Sequence, residues 1–75
     1  MKIEEIKRNL NKIVHYKDSR NNIDSDYLFT GCILRRDKNG FYYQAELQDM
    51  KSGRTILICK LDDVQAVGSE VENNG

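Results

Sequence analysis

Two hairpin signals divide the run from Tyr27 to Val67 into strand-like segments, and they constrain the fold more than any other feature of the chain. Residues 38–40 read Lys-Asn-Gly and residues 51–53 read Lys-Ser-Gly, and apolar and polar residues alternate on both sides. Asn-Gly is typical of a tight β-hairpin because it supplies left-handed backbone conformations at low cost. The sequence therefore predicts an antiparallel sheet with strands at about 27–36, 41–48, 54–60 and 64–67.

The predicted strands differ in the character of their faces. In segment 41–48 apolar residues alternate with polar ones, which is typical of a strand with one face in the core and one in water. Segment 54–60 is apolar on both faces, which predicts a central strand or a strand covered by a helix. Gly31 lies inside segment 27–36, where a glycine commonly marks a bulge or a sharp bend. We expect one tightly coiled layer with Ile33, Tyr43 and Ile58 at its centre.

The N-terminal segment has the periodicity of a helix. Its apolar residues recur at intervals of three and four on one stripe, and charged and amide residues fill the other positions. We predict an amphipathic helix over residues 2–12 that packs on the sheet. Residues 12–16 also suit a short strand, because they combine β-branched and aromatic side chains, and the sequence leaves both readings open. The candidate surface for association with a partner or a second copy is Ile3, Ile6 and Leu10.

The remaining segments predict turns and a tail. Residues 17–26 are mostly Ser, Asn, Asp and Arg, which is the composition of a loop. Residues 61–64, Leu-Asp-Asp-Val, predict one turn of 3₁₀ helix before the last strand. Residues 68–75 are acidic and poor in apolar side chains, so we expect a disordered tail. We expect residues 1–67 to form a single small domain, because 75 residues are barely enough for one core.

Composition limits the classes of partner. Twelve Lys and Arg balance twelve Asp and Glu, so nucleic-acid binding needs a local basic patch. No apolar run approaches the roughly 20 residues of a membrane span, and the N-terminal segment lacks the apolar region of a signal peptide. We therefore expect a cytoplasmic protein without membrane contact. There Cys32 and Cys59 are expected to be reduced, buried thiols, and the alternative is a disulfide between facing strands.

The sequence contains no pattern typical of a catalytic or metal site. Two cysteines without His or Cys companions at ligand spacing cannot build a zinc site. His15 has no nucleophile predictably beside it, so a small hydrolase using His15 and Asp63 is the weakest of the hypotheses. The pair Asp62 and Asp63 lacks the further oxygen ligands that Mg²⁺ needs, and we expect it to cap the short helical turn. We predict no enzyme activity, no metal and no cofactor.

The segment from Phe29 to Val67, FTGCILRRDKNGFYYQAELQDMKSGRTILICKLDDVQAV, resembles SH3-like small barrels of the Tudor and KOW kind. The shared pattern is a glycine-bearing strand, a hairpin, a strand with adjacent aromatics, a third strand, a short helical turn carrying Asp, and a closing strand. The resemblance covers about half of the chain. It implies a mainly β (α+β) fold, with the N-terminal helix on a strongly bent sheet or barrel of four or five strands. The abundance of Lys, Asn and Ile is also similar to that of small proteins from mobile elements of AT-rich bacteria.

Two hypotheses for the function follow, because SH3-like barrels typically bind nucleic acid, ribosomal surfaces or peptides. The first is a non-enzymatic protein-interaction module, such as an inhibitor or accessory protein, that binds a protein partner or itself through the helix or an open sheet edge. The alternative is a nucleic-acid-binding barrel, since cations beside an exposed aromatic offer phosphate contacts and base stacking. A complete aromatic cage for methylated side chains is not expected, because Tyr43 points with the predicted core face. The candidate ligand surface is Arg35, Arg36, Lys38, Tyr42, Gln44 and Arg54.

Overall fold

The computed structural model of the protein describes residues 1–67 as a short helix followed by one antiparallel sheet of five strands. The predicted disordered tail, residues 68–75, lies outside the described residues. The order of strands in the sheet is β4-β3-β2-β1-β5. The predicted mainly β class is therefore confirmed. Over residues 1–67 the two edge strands do not pair with each other, so a closed barrel is not confirmed. The strands are β1 (Ile13–Asp18), β2 (Ile23–Asp37), β3 (Gly40–Gln48), β4 (Ile56–Lys60) and β5 (Val64–Ala66).

The N-terminal helix is shorter than the predicted span 2–12. A 3₁₀ turn at Ile3–Glu5 leads into α1 (Ile6–Asn9). The helix ends because Asn11 adopts a left-handed backbone with φ 65°, a conformation that Asn tolerates better than most residues. The Asn11 N–H then donates to the Phe29 carbonyl at 2.7 Å. This bond turns the chain into β1, so the ambiguous stretch around His15 is strand rather than helix.

The segment predicted as a loop, residues 17–26, belongs instead to a β-hairpin. Strand β1 pairs with the first six residues of β2. A 3₁₀ turn at Ser19–Asn21 joins them, and Asn22 closes it in the left-handed region with φ 57°. The Asp18 carboxylate caps the turn by accepting a backbone N–H at 3.1 Å. The polar composition therefore reflects a hairpin with a solvated face.

Strand β2 is long and bulged, as Gly31 predicts. Its register with β3 shifts between Phe29 and Gly31, which leaves Thr30 as the extra residue. A bulge reverses the side on which the following residues point. Phe29 and Cys32 therefore share the inner face of the sheet, whereas Ile33 lies on the outer face.

The core lies on the inner face of the sheet, and Ile6 and Leu10 of the N-terminal helix pack against it. The expected centre of the core was wrong. Ile33 and Tyr43 are only partly buried, and Ile58 is 41% exposed. The buried residues are Val14, Tyr16, Phe29, Ala45, Leu47, Cys59, Leu61 and Val64.

Strand β4 is an edge strand, and the prediction of a central or covered strand was wrong. Within residues 1–67 it pairs with β3 alone. Ile56 and Ile58 are exposed on the outer face, while Leu57 and Cys59 pack into or against the core on the inner face. Only the inner face of the strand meets the core. The apolar residues of its outer face therefore remain exposed.

The predicted turns after β2 and β4 are confirmed. Asp37 pairs with Gly40 across a two-residue turn, and Gly40 takes the positive φ of 120° that favours glycine. A 3₁₀ turn at Leu61–Asp63 precedes β5. No helix in residues 1–67 is long and apolar enough to cross a bilayer.

Candidate binding surfaces

A groove of about 1040 Å³ lies where β3 runs past the end of β4. Strand β4 pairs with β3 only as far as Gln44, which lies opposite Lys60. Residues 40–43 of β3 therefore have β2 on one side and no described strand on the other. The chain turns away at Leu61, and this turn and residues 1–4 form the other walls. We call this site the edge groove.

The backbone of Phe41 points into the edge groove. Asp49 N–H donates to the Thr55 carbonyl at 3.0 Å, which marks these two residues as a hydrogen-bonded pair. Hydrogen-bonded and non-hydrogen-bonded pairs alternate along an antiparallel ladder. Odd-numbered residues of β3 therefore direct N–H and C=O toward the β4 side. Tyr43 is the last of these residues, and its position in the ladder lies opposite Leu61, where the chain leaves the sheet. At Phe41 those groups face the groove, because β4 has already ended.

The side chains of Phe41 and Tyr43 lie on the inner face of β3, and side chains on this face become more exposed toward the hairpin end of the strand. Leu47 is fully buried, Tyr43 is half-buried, and Phe41 at the hairpin end is 69% exposed. Leu34 lies opposite Tyr43 on β2 and is also exposed. The Arg36 guanidinium stands 5.7 Å from the centroid of the Phe41 ring, at the distance of a cation–π contact. An apolar surface therefore continues from the core into the groove.

The wall facing β3 combines the apolar residues Met1, Ile3 and Leu61 with charges of both signs. Ile3 is 58% exposed and lines the groove. An apolar centre with a mixed polar rim is typical of protein interfaces. The balance of charge gives no preference for a polyanion. The charged residues at the groove are Lys2, Glu4, Asp37, Lys60 and Asp62.

Three residues of the predicted ligand surface lie together on the outer face of the sheet. Arg35 and Tyr42 are directly opposed across β2 and β3, and the Arg35 Nε–H donates to the side-chain oxygen of Gln44. Lys60 lies across from Gln44 in β4 and adds a second cation to this group. Sequence reasoning missed Lys60 because its strand was expected to be covered.

The other three predicted residues lie elsewhere. Arg36 is on the inner face over Phe41, because neighbours along a strand point to opposite faces. Lys38 is in the hairpin turn, and Arg54 is in the turn between β3 and β4, at the far end of β3. The six predicted residues therefore do not form one surface.

The predicted association surface on the helix is divided as well. Ile6 and Leu10 are partly buried against the core of their own chain. Ile3 is exposed, but it lies at the edge groove. The helix thus closes the core and contributes one apolar residue to a binding surface.

His15 lies on the outer face between two carboxylates of β2. Its Nδ1 is 2.7 Å from Asp26 Oδ1, and its Nε2 contacts Asp24. The hydrogen bond to Asp26 and then that to Asp24 raise the pKa of His15 above its usual value. Donation from both ring nitrogens requires the protonated imidazolium. Sequence reasoning missed this cluster because it placed both carboxylates in a loop.

A second cleft of about 300 Å³ is lined in part by His15, Asp62 and Asp63. Both ring nitrogens of His15 are engaged by β2 carboxylates, so the imidazole offers no free base to a partner at Asp63. The two aspartates lie inside the 3₁₀ turn, whose N-cap is Lys60, so the prediction that they cap it was wrong. Over residues 1–67 no group of three His, Cys, Asp or Glu is placed to hold a metal ion.

Cys32 and Cys59 are free thiols that flank Ala45 on the inner face. Each is paired with Ala45 from a different neighbouring strand, so about 9–10 Å separates their Cα atoms, which is two strand spacings. A disulfide needs Cα atoms within about 7 Å. The disulfide alternative is therefore excluded within one chain. Burial raises the pKa of Cys32, and it raises that of Cys59 to about 11.

Comparisons of the chain with protein-family models, with curated proteins and with solved structures found no match. A functional proposal for this protein therefore rests on its own surfaces.

Proposed function

We propose that this protein is a non-enzymatic protein-interaction module that binds an extended segment of a partner protein in the edge groove. The observation that carries the proposal is the edge of β3 at Phe41, which extends beyond the end of β4, with the half-buried Tyr43 beside it. There the backbone of Phe41 and the side chains of Phe41 and Tyr43 are presented to one groove. An inhibitor or an accessory protein could engage its target in this way.

The geometry specifies the chemistry of the partner segment. An extended chain that adds to a sheet edge gains affinity from main-chain hydrogen bonds and specificity from alternate side chains. Side chains of the partner that point to the inner face meet Phe41, Tyr43 and Ile3. Full burial of one such apolar side chain contributes about 1.5–3 kcal/mol. The preferred segment therefore carries aliphatic or aromatic residues at alternate positions.

We also propose that the fold is related to the SH3-like small barrels. The support is the sequence of elements from Phe29 onward: a bulged strand, a hairpin, a strand with adjacent aromatics, a third strand, a 3₁₀ turn with two aspartates and a closing strand. This relationship agrees with a binding role, but the proposal of the edge groove does not depend on it.

The test is selection of peptides from a random phage-displayed library, followed by affinity measurement with the selected synthetic peptides. We expect alternating apolar residues in the selected sequences and amide shifts at residues 40–44 on titration. Phe41→Ala should weaken binding by about tenfold or more, equivalent to about 1.4 kcal/mol. Ile13→Ala is the matched control, because Ile13 is also an exposed apolar residue but lies on β1, away from the edge groove. Failure to select peptides, or affinity that is insensitive to Phe41→Ala, would refute the proposal.

A second candidate function is nucleic-acid contact through the outer face. The observation in its favour is the exposed ring of Tyr42, with Arg35 directly opposite and Lys60 on the neighbouring strand. An aromatic flanked by cations can stack a base and contact phosphates. A fluorescent single-stranded oligonucleotide tests this function. Binding should fall steeply with added salt and with Arg35→Ala or Tyr42→Ala, whereas Phe41→Ala should leave it unchanged.

A further inference from the structure

We propose that β4 pairs with β4 of a second copy of this chain, which joins the two five-stranded sheets into one continuous sheet. Within residues 1–67 the strand pairs only with β3, and its other edge is open. Ile56 and Ile58 are 49% and 41% exposed on its outer face. The strand contains no proline and a single charged residue, Lys60, at its end. The middle of this edge therefore lacks the proline or charged side chain that usually prevents strand addition.

The backbone of β4 is oriented for this pairing. Asp49 and Thr55 form a hydrogen-bonded pair between β3 and the start of β4. By the alternation of the ladder, Leu57 and Cys59 also bond toward β3. Even-numbered residues of β4 therefore direct N–H and C=O away from β3, toward the open edge.

The length of the strand selects one register. Antiparallel self-pairing centred on Ile58 overlaps all five residues of β4. Ile58 then faces Ile58 of the second copy on the two-fold axis, and Ile56 faces Lys60. The long aliphatic stem of Lys60 can cover Ile56 while its ammonium group stays in water. The inner face sets Leu57 beside Cys59, so apolar side chains meet on both faces.

Charge supports the same register. With the pairing centred on Ile58, Arg54 of one copy and Asp62 of the other lie at the same end of the paired strands, each two residues beyond β4. A register centred on Leu57 would instead bring Arg54 closest to Lys60, and like charges close together across strands are unfavourable. The second copy is therefore complementary to this edge in shape and in charge.

The pairing is isologous and closed. Each copy uses the same strand, so the contact consumes the open β4 edge of both chains and yields a dimer rather than a fibre. Within residues 1–67 the strand at the other side of each sheet is β5, which has three residues.

Sedimentation equilibrium over a wide range of concentration tests the proposal. We expect the wild-type protein to pass reversibly from monomer to dimer. Ile58→Lys should raise the dissociation constant by about tenfold or more, because it places two ammonium groups at the two-fold axis. Ile13→Lys is the matched control, because Ile13 is 46% exposed on the same outer face but lies on β1. A protein that stays monomeric throughout, or equal weakening by both variants, would overturn the proposal.

A charge exchange provides a test that a general folding defect cannot imitate. Arg54→Asp and Asp62→Arg should each weaken the dimer several-fold at low salt, and the double variant should recover wild-type affinity. If the losses of dimer affinity in the two single variants add up in the double variant, the proposed register is wrong. Phe41→Ala should leave dimerisation unchanged, so this proposal and the peptide-binding proposal can fail separately.

Discussion

His15 and Asp26 face each other directly across β1 and β2, with the imidazole Nδ1 2.7 Å from the carboxylate oxygen. Asp24, two residues earlier on β2, engages the other ring nitrogen. The cluster links the two strands of the first hairpin through side chains as well as backbone. Because both ring nitrogens act as donors, the link is complete only when His15 is protonated.

We expect the protein to lose stability as the pH rises from about 6 to about 8. The pKa of folded His15 is raised above 6.5, first by Asp26 and then by Asp24. Its contribution is therefore fully present below the unfolded pKa and is lost as the pH passes the folded one. The loss of unfolding free energy should be about 1 kcal/mol or less, because His15 and both carboxylates are exposed to solvent. Urea unfolding at the two pH values measures it.

The same prediction has an internal control. His15 is the only histidine, so an NMR titration of its ring protons reports the folded pKa without assignment ambiguity. His15→Gln should remove the dependence of unfolding free energy on pH in this window. An equal pH slope in wild type and His15→Gln would contradict the prediction.

Local backbone requirements made part of the fold predictable. The hairpin at Gly40, the bulge beside Gly31 and the 3₁₀ turn at Leu61–Asp63 each depend on a few adjacent residues. These features can be predicted without knowledge of the tertiary structure, because they depend on the φ preference of single residues and on hydrogen bonds within a turn. The mainly β class follows from these turns and the alternation between them.

Features that depend on register or on tertiary cover were not predictable from the sequence. The bulge reverses the facing of residues after Thr30, so Ile33 turns away from the core. The first hairpin has a polar solvated face, so its composition resembles that of a loop. The edge groove exists because β4 ends at Lys60 while β3 continues to Gly40. No local pattern fixes how two strands overlap.

Two leucines on the inner face of neighbouring strands allow the effect of a buried side chain on stability to be compared with that of an exposed one. Leu47 is fully buried in β3, and Leu34 is exposed on β2. Leu47→Ala should reduce the free energy of unfolding by about 2–5 kcal/mol, because it removes apolar contacts and leaves a cavity. Leu34→Ala should cost less than about 0.5 kcal/mol. Urea denaturation of both variants measures the difference, and similar losses would show that Leu34 is buried rather than exposed.

Asn11 offers a test of how the N-terminal helix ends. Its φ of 65° is left-handed, so a side chain with a β-carbon but no local polar group is strained there. Asn11→Ala should cost about 1–2 kcal/mol, whereas Asn11→Gly should preserve stability to within a few tenths, because glycine adopts this conformation without strain. Thermal or urea unfolding compares the two. If Ala is tolerated as well as Gly, the helix does not end in this conformation.

The two cysteines should differ in reactivity toward an aromatic disulfide reagent. Cys59 is 7% exposed, and burial raises its pKa to about 11 from 9.0. Its thiolate fraction near neutral pH is therefore about a hundredfold lower than that of an unperturbed thiol, and the thiolate is the reacting form. We expect Cys59 to react slowly in the folded protein. Cys32 is less buried and should react faster.

Single variants assign the two phases of that reaction. Cys32→Ser should leave only the slow phase and Cys59→Ser only the faster one. In urea without reductant, the wild-type protein should rapidly release two equivalents of the reagent's aromatic thiolate per chain. Both cysteines are free to react, because the thiols are two strands apart and cannot form a disulfide within one chain. Fewer than two equivalents would indicate a disulfide and contradict this strand order. Equal rates for the two single variants would instead place Cys59 outside the core.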